Sequence, residues 1–480
     1  MPTLTPAQAL SGLERILGAQ GMLTGEARAG GDLEPFLIDQ RRLYHGRALA
    51  IALPRTVVEV TELLAFCNTH RIGIVPQGGN TSYCGGATPD ESGREIVVSL
   101  SRLDRIRQVD PLNYSIVAEA GCVLRDIQDA ADEVQRFFPL SLGSEGTCQV
   151  GGNLATNAGG VHVLRYGMMR DLVLGLEVAL ADGRLLSSLG TLRKDNTGYD
   201  IKSLFLGAEG TLGIITAASL KLFPKPQAFA TAFAAIPGPR AAVSLLASLR
   251  ETSGDRVSSF ELIPRIAVDL TTRHIPGVRD PLAAAHPWYV LCELTSARAA
   301  DPVEDLLEQS LAGALAEGLV LDAAVARSAR DRQAFWKLRE TIPEAQRLDG
   351  GSLKHDISVP VASIPAFLER AASWLADNVP DGRLVAYGHA GDGNLHFNLN
   401  QAPGSDRAAF LAREEPVKRV IHEMVKDFGG SFSAEHGIGR LKVGELERYA
   451  PPVELDLMRA IKRVFDPNGI LNPGKVLRAP

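Results

Sequence analysis

The sequence predicts an α+β protein of more than one domain, and three observations carry that prediction. Its 480 residues exceed what one ordinary core accommodates, so two or three domains are expected. Two glycine-rich stretches, Pro76–Gly86 and Pro139–Gly160, interrupt a first half of short apolar runs bounded by turn residues. After Pro224 and Pro226 the texture changes to alternating strand-like and helical segments, poorer in glycine, as expected of a separate domain.

Composition narrows the class. The chain is 45% hydrophobic and 22% charged with a net charge of −6, which argues against nucleic acid or an anionic membrane surface as partner. Five scattered cysteines without CxxC spacing argue against a disulfide framework and a thiolate zinc site. No apolar run approaches a membrane span, and the first twenty residues lack the pattern of a signal peptide. A cytoplasmic protein is expected.

In chain order, Ala7–Leu17 reads as an amphipathic helix, followed by an irregular, polar approach to residue 45. Ala48–Leu53 is a strand ended by Pro54. Thr56 and Glu59 form a capping box for a helix carrying Val57, Val60, Leu63, Leu64 and Cys67. Ile72–Val75, Glu95–Leu100 and Ser115–Ala120 are strands, and Val123–Val134 a helix. Leu172–Ala181 and Arg184–Leu186 flank the Asp182-Gly183 turn of a β-hairpin. Leu353–Ser358 reads as a strand, and Val453–Val464 as an amphipathic helix.

The stretch Pro139–Gly160 organises the first half. Glycine costs about 0.5–1 kcal/mol in the interior of a helix or strand, so neither is expected here. Its composition suits backbone that approaches a ligand closely, although a long surface loop is the plain alternative. Pro76–Gly86 follows a strand directly, so successive N–H groups with the Asn80 and Thr81 side chains could hold a pyrophosphate. GxGxxG, the nicotinamide-dinucleotide fingerprint, is absent.

A second constellation lies in Tyr387–Asn400. Asp392-Gly393-Asn394 reads as a tight turn, so that His389 and His396 face each other across a hairpin. Paired imidazoles suit Zn²⁺ or another first-row divalent ion, yet two ligands do not complete a site. Glu435 and His436 add a carboxylate and a third imidazole; on a strand they would point to opposite faces unless Gly437 and Gly439 kink the backbone. Hydrogen-bonded core histidines are the plain alternative, as surface charges are for Arg339 and Lys354.

With these residues together, the chain resembles the FAD-linked oxidoreductases of the vanillyl-alcohol-oxidase type, and within them the D-2-hydroxyacid dehydrogenases. PQGGNT, GSEGTCQVGGNLATNAGG, RYG, RKDNTGYD, EGTLGIIT, GHAGDGNLH, AEHGIG and GILNPGK carry the likeness, in order, from about residue 45 onward. The resemblance implies a two-lobed FAD-binding domain over residues 1–226, a substrate domain over 227–425, and a C-terminal segment, 426–480, that returns to the flavin and metal site. FAD would lie against Pro76, Gly78, Gly79, Asn80, Thr81, Gly85 and Gly86 of the first loop. In the second it would meet Pro139, Gly143, Ser144, Thr147, Gly151, Gly152, Asn153, Thr156, Asn157, Gly159 and Gly160, with help from Gly213, Ile214 and Asn472. The first loop reads GGNTSYC where some relatives carry a flavin-linking histidine, so FAD is expected to be non-covalent.

Within that family, Phe397-Asn398 and LKHDISVP resemble the branch acting on D-2-hydroxyglutarate rather than those acting on D-lactate or glycolate. The resemblance then implies Zn²⁺ or another divalent metal on His389, His396 and Glu435, His436 as base, and Arg339, Lys354 and Asn398 on the substrate. Pro343 stands where those relatives place a substrate-contacting threonine, which leaves D-malate open beside D-2-hydroxyglutarate. The alternatives are a D-lactate or glycolate dehydrogenase, or a flavin-carrying electron-transfer subunit with a structural metal. The implied electron acceptor is an electron-transfer flavoprotein or a quinone, and a homodimer is the base-rate expectation.

Overall fold

The computed structural model describes residues 4–25 and 33–478. Part of the expected irregular approach, residues 26–32, lies outside the described residues. The chain divides into two compact units: Met1–Gly160, Gly167–Lys225 and Glu435–Pro480 form one, Val161–Tyr166 and Pro226–Ala434 the other. Among the described residues no helix is long and apolar enough to cross a membrane.

Among the described residues the first unit holds two large sheets and a two-stranded one, Arg136–Phe137 with Phe223–Pro224. In one large sheet, Met22–Leu23, Ala50–Ala52, Ile96–Ser99 and Ile74–Gln77 lie side by side in that order. Ala50–Ala52 and Ile74–Gln77 both run parallel to Ile96–Ser99. Side-chain alternation buries both faces. Ala50, Ala52, Ile74, Ile96 and Val98 pack with Leu13, Leu63 and Leu64 of helices Pro6–Leu17 and Val57–His70. Ile51, Val75 and Val97 meet Leu33, Phe36 and Leu37 on the other side. Only half of the expected capping box forms: Thr56 caps Glu59 N–H at 3.1 Å, but Glu59 turns back to Arg55 N–H. The C-terminal segment joins this lobe through a parallel bridge between Ile74 and Leu471.

The other large sheet is antiparallel, in the order Ile106–Asp110, Ser115–Glu119, Ile214–Lys221, Val173–Ala179, Leu185–Ser188. The hairpin turns at Gly183, whose φ of 86° glycine accommodates without strain. Strand Ile106–Asp110 has no counterpart in the sequence reading. It is an edge strand rich in polar residues, and Arg105 and Arg107 beside and within it ion-pair with the buried Glu119.

The glycine-rich stretch departs from expectation: Val150–Ala155 is a short helix. Glycine is used here for proximity. A Cβ on Gly151 would lie 2.7 Å from the Ala120 Cβ, so only glycine lets this helix approach the second sheet.

In the second unit, Val257–Pro264, Trp288–Ser296, Ala228–Ile236 and Asp322–Val325 form an antiparallel sheet in that order. Ala230, Ala232, Ala234 and Ile236 face helices Pro239–Ser253 and Val303–Ala316. Phe233 and Ala235 face Phe335 and Leu338 on the opposite side. A second sheet is centred on Asn394–Gln401, which pairs with Gly382–Tyr387, Ser352–Leu353 and Asp356–Ser358. The single strand expected over Leu353–Ser358 is thus broken at Lys354-His355. The reason is local: His355 N–H donates to the Asn398 side chain at 3.2 Å and its Nδ1 bonds the Phe397 carbonyl at 2.7 Å. A bridge between Leu262 and Gly388 links the two sheets. Arg165 of the RYG motif anchors Val161–Tyr166 to this unit by donating to the Thr295 carbonyl at 2.7 Å.

Candidate active site

In the first unit the two glycine-rich loops pack directly on each other. A Cβ on Gly79 would stand 2.1 Å from the Thr147 carbonyl oxygen, and one on Gly78 would touch Gln149. Beside Gly143 and Gly152 a Cβ would meet nothing within 4 Å. Bare backbone therefore borders open space, as a cradle for a flat, phosphate-bearing cofactor requires. Gln149 Oε1 and Asn472 Oδ1 are buried without a hydrogen-bond partner. Polar atoms in that state are costly unless a ligand or water meets them, and the residues present fit FAD.

Several expected contacts are committed to the protein itself. Asn80 has a left-handed backbone, φ 52°, but its amide donates to the Pro35 and Ile38 carbonyls at 2.9 and 2.8 Å. Both amide hydrogens of Asn80 are thus committed to protein carbonyls. Thr156 Oγ1 bonds the Gly152 carbonyl, Thr147 Oγ1 bonds the Ser144 carbonyl, and Asn157 Oδ1 accepts from Arg170 N–H. Asn153 is buried with its amide 3.5 Å from Cys148 Sγ. The Ile214 side chain lies in the core of the first lobe, and Gly213 fits beneath Val178. Asn472 donates to the Gly86 and Glu209 carbonyls at 2.9 and 2.7 Å, tying the C-terminal segment to the first loop. Pro76 lies within strand Ile74–Gln77, and Thr81, Gly85, Pro139, Ser144, Gly159 and Gly160 lie along the loops.

Glu435 and His436 also belong to this unit, on a segment that is not a strand. His436 Nε2 lies 3.7 Å from a Glu435 oxygen, and its ring meets Tyr83 edge-on at 4.9 Å between centroids. Gly437 and Gly439 both have positive φ, 71° and 52°, which supplies the kink. Glu209, which opens the EGTLGIIT motif but has no role assigned from sequence, holds the segment: its carboxylate accepts from Ile438 N–H at 2.7 Å and Gly439 N–H at 2.8 Å. Burial pushes the Glu209 carboxyl up, and those two amides and Lys442 pull against it.

In the second unit, His389 and His396 come together as expected, with ring centroids 5.6 Å apart. His389 sits past the end of strand Gly382–Tyr387, and His396 pairs with Tyr387 in register. Arg339 is buried at the end of helix Ala329–Glu340, its guanidinium 4.9 Å above the Tyr387 ring. Between Arg339 and His389 lies Glu261, which the sequence reading missed. It is 0% exposed, accepts from Arg339 Nε at 2.7 Å, and lies 2.6 Å from His389 Nδ1. Burial alone would raise this carboxyl, but Arg339 and His389 outweigh it and hold it down to about 2.

Asn398 is buried and aimed by its neighbours: its amide donates to Gln346 at 3.0 Å while its oxygen accepts from His355 N–H. Lys354 is exposed at the strand break. Pro343 is exposed at the start of helix Ile342–Asp349, and the nearby Thr341 hydroxyl donates to the Lys337 carbonyl.

Comparison with known proteins defines the class of this chain, a flavin-dependent oxidoreductase. Residues 48–188 match the FAD binding domain, and residues 225–476 match the C-terminal domain of FAD linked oxidases. The fold is that of the vanillyl-alcohol-oxidase type: p-cresol methylhydroxylase, 16% identical, superposes with a TM-score of 0.75 over 98% of this chain and 97% of its own. D-2-hydroxyglutarate dehydrogenase of Arabidopsis thaliana is 37% identical over 98% of this chain and 81% of its own length. The Bos taurus enzyme of that name is 38% identical over 98% of this chain and 83% of its own. The chain belongs to the D-2-hydroxyglutarate dehydrogenase-like branch of the FAD-linked D-2-hydroxyacid dehydrogenases, and is an FAD-dependent dehydrogenase acting on a CH–OH donor. These relatives also overturn the expected cytoplasmic location, since both are named as mitochondrial.

Proposed function

We propose that the protein oxidises a D-2-hydroxydicarboxylate, D-2-hydroxyglutarate or the shorter D-malate, to the 2-oxoacid. The observation that carries this reading is a deeply buried guanidinium, Arg339, set beside the imidazole pair His389 and His396 in a chain whose relatives bear the name D-2-hydroxyglutarate dehydrogenase. Glu261 already neutralises this guanidinium, and in this reading a substrate carboxylate is a second anion for a side chain whose planar fork suits bidentate carboxylate recognition.

Each residue then has a task. FAD, when bound, supplies the hydride acceptor, and a divalent metal, when bound, supplies a Lewis acid for the hydroxyl oxygen. His389 and His396 are a donor set that suits Zn²⁺, and Glu435 is the third ligand by family resemblance. His436 takes the hydroxyl proton, a contribution typically worth roughly 10²–10⁴ in rate. Arg339 and Lys354 hold the carboxylates, and Asn398, fixed by Gln346 and His355, orients the substrate's polar end. Pro343 offers no hydroxyl to a distal carboxylate, which is why the shorter dicarboxylate stands beside the longer one. Electrons leave to an electron-transfer flavoprotein or a quinone.

The test is anaerobic mixing of the FAD- and metal-loaded protein with D-2-hydroxyglutarate, D-malate, D-lactate and glycolate in turn, following loss of the oxidised-flavin absorbance. Bleaching by a dicarboxylate and not by lactate supports the reading. Bleaching by lactate or glycolate alone transfers the chain to that branch, and bleaching by none removes the catalytic assignment.

A further inference from the structure

We propose that Glu261 is a positioning residue that sets two working side chains at once. One carboxylate oxygen takes the His389 Nδ1 proton in a hydrogen bond, so that Nε2 is presented as the ligand atom. The other holds Arg339 by its Nε, over the Tyr387 ring. The inference rests on the metal and substrate roles proposed above for His389 and Arg339.

The geometry is specific. Glu261 Oε1 lies 2.6 Å from His389 Nδ1, and Oε2 lies 2.7 Å from Arg339 Nε. A neutral imidazole has one N–H, and committing it at Nδ1 leaves the Nε2 lone pair outward. A carboxylate behind a ligating histidine is the usual means of fixing tautomer and ring angle at a metal site. The backbone supports the arrangement from both sides, because Leu262 N–H donates to the Gly388 carbonyl at 2.9 Å and Gly388 N–H returns a bond to Leu262 at 3.0 Å. The residues next to Glu261 and His389 are thus clamped together, and the side-chain contact inherits that precision.

Stability alone is a poor reason for this carboxylate. A buried ion pair generally gives no more stability than well-packed apolar residues of similar volume. The other fully buried glutamates of the sheets are different in kind. Glu119 is met by Arg105 and Arg107, and Glu293 by Arg332, Thr231 and Trp336, with no imidazole in either set. Glu261 alone of these three joins an imidazole to a guanidinium.

The experiment measures Zn²⁺ affinity of the FAD-loaded, full-length protein by competition with a chromophoric chelator, for the wild type, Glu261→Gln and His389→Ala, together with KM for the dicarboxylate. A glutamine cannot accept from both donors, so Glu261→Gln is expected to weaken Zn²⁺ binding about 10–100-fold and to raise KM, with far-UV circular dichroism and FAD content unchanged. A purely structural glutamate would lower the melting temperature without moving the Zn²⁺ affinity of the folded protein. Affinity within twofold of wild type in folded Glu261→Gln overturns the inference. If that variant does not fold, Glu261→Asp, which keeps the charge but is one methylene too short to reach both partners, is read the same way. A wild type that takes up no Zn²⁺, or a His389→Ala variant that binds it as tightly, removes the metal reading itself and the inference with it, a pattern distinct from failure of Glu261→Gln alone.

Discussion

Glu209 occupies the space that a side chain on Gly437 would need: a Cβ there would stand 2.7 Å from the Glu209 Oε1. Two features of the AEHGIG segment therefore depend on each other. The missing side chain admits the carboxylate, and the carboxylate in turn fixes the Ile438 and Gly439 amides that follow His436.

Gly437→Ala should accordingly be costly twice, through the positive φ of 71° and through displacement of Glu209. The left-handed backbone alone costs roughly 1–2 kcal/mol for a non-glycine residue. We expect a lower melting temperature and slower flavin reduction by substrate. Gly444→Ala, in helix Val443–Tyr449 where a Cβ meets nothing within 4 Å, is the control and should melt no lower than wild type with flavin reduction unchanged. Equal stability of the two variants would show that the Glu209 clamp is dispensable.

Gly152 permits a test of the flavin cradle that separates folding from binding. It lies in helix Val150–Ala155 beside open space, so alanine should favour the helix by about 0.5–1 kcal/mol. The same methyl projects where the cofactor is expected. Gly152→Ala should therefore melt no lower than wild type as apoprotein while binding FAD more weakly. Undiminished FAD affinity would place the cofactor elsewhere along the loops.

How much of this was legible in the sequence depended on whether the signal was local. Strands such as Ile96–Ser99 and Ile74–Gln77 announce themselves as short apolar, β-branched runs, and the Asp392-Gly393 turn placed His389 opposite His396 from local chemistry alone. Strand Ile106–Asp110 was hidden because its arginine, Arg107, finds its partner across the sheet, in Glu119. Helix Val150–Ala155 was hidden because its glycines argue against a helix until Ala120 is seen pressing on Gly151. Glu261 had no local signal at all: its partners Arg339 and His389 are 78 and 128 residues away along the chain. The C-terminal return was legible only by resemblance, since nothing in Ile470–Asn472 points to Ile74.

Glu261 also makes a prediction about pH. Burial would raise its carboxyl, yet Arg339 and His389 hold it from the ordinary 4.5 down to about 2. Between those values the unfolded chain binds the proton more readily than the folded one, so stability falls as pH falls. The contribution is fully present above about pH 4.5 and is lost as pH drops through the folded value. In urea titrations of metal-free protein, the midpoint of Glu261→Gln should lie below wild type at pH 5 and converge on it as the buffer is taken toward pH 3. A constant gap would mean that the variant's defect is one of packing rather than charge.

His436 tests the chemistry. Its ring is held between Tyr83 and Glu435 on a segment fixed through Glu209, and none of these contacts requires the imidazole for the cradle to form. His436→Ala should therefore purify with its FAD, absorb as oxidised flavin, and retain the wild-type melting temperature within about a degree or two, as surface-near substitutions usually do. Reduction of that flavin by substrate should be slowed by roughly 10²–10⁴, the range over which a positioned general base contributes. The loss should shrink as pH rises, because hydroxide and a more readily ionised substrate take over the proton transfer. Stopped-flow absorbance across pH 6–10 reads both effects. Wild-type reduction rates in His436→Ala would assign the proton to another group, and a pH-independent loss would make His436 a contact for substrate rather than its base.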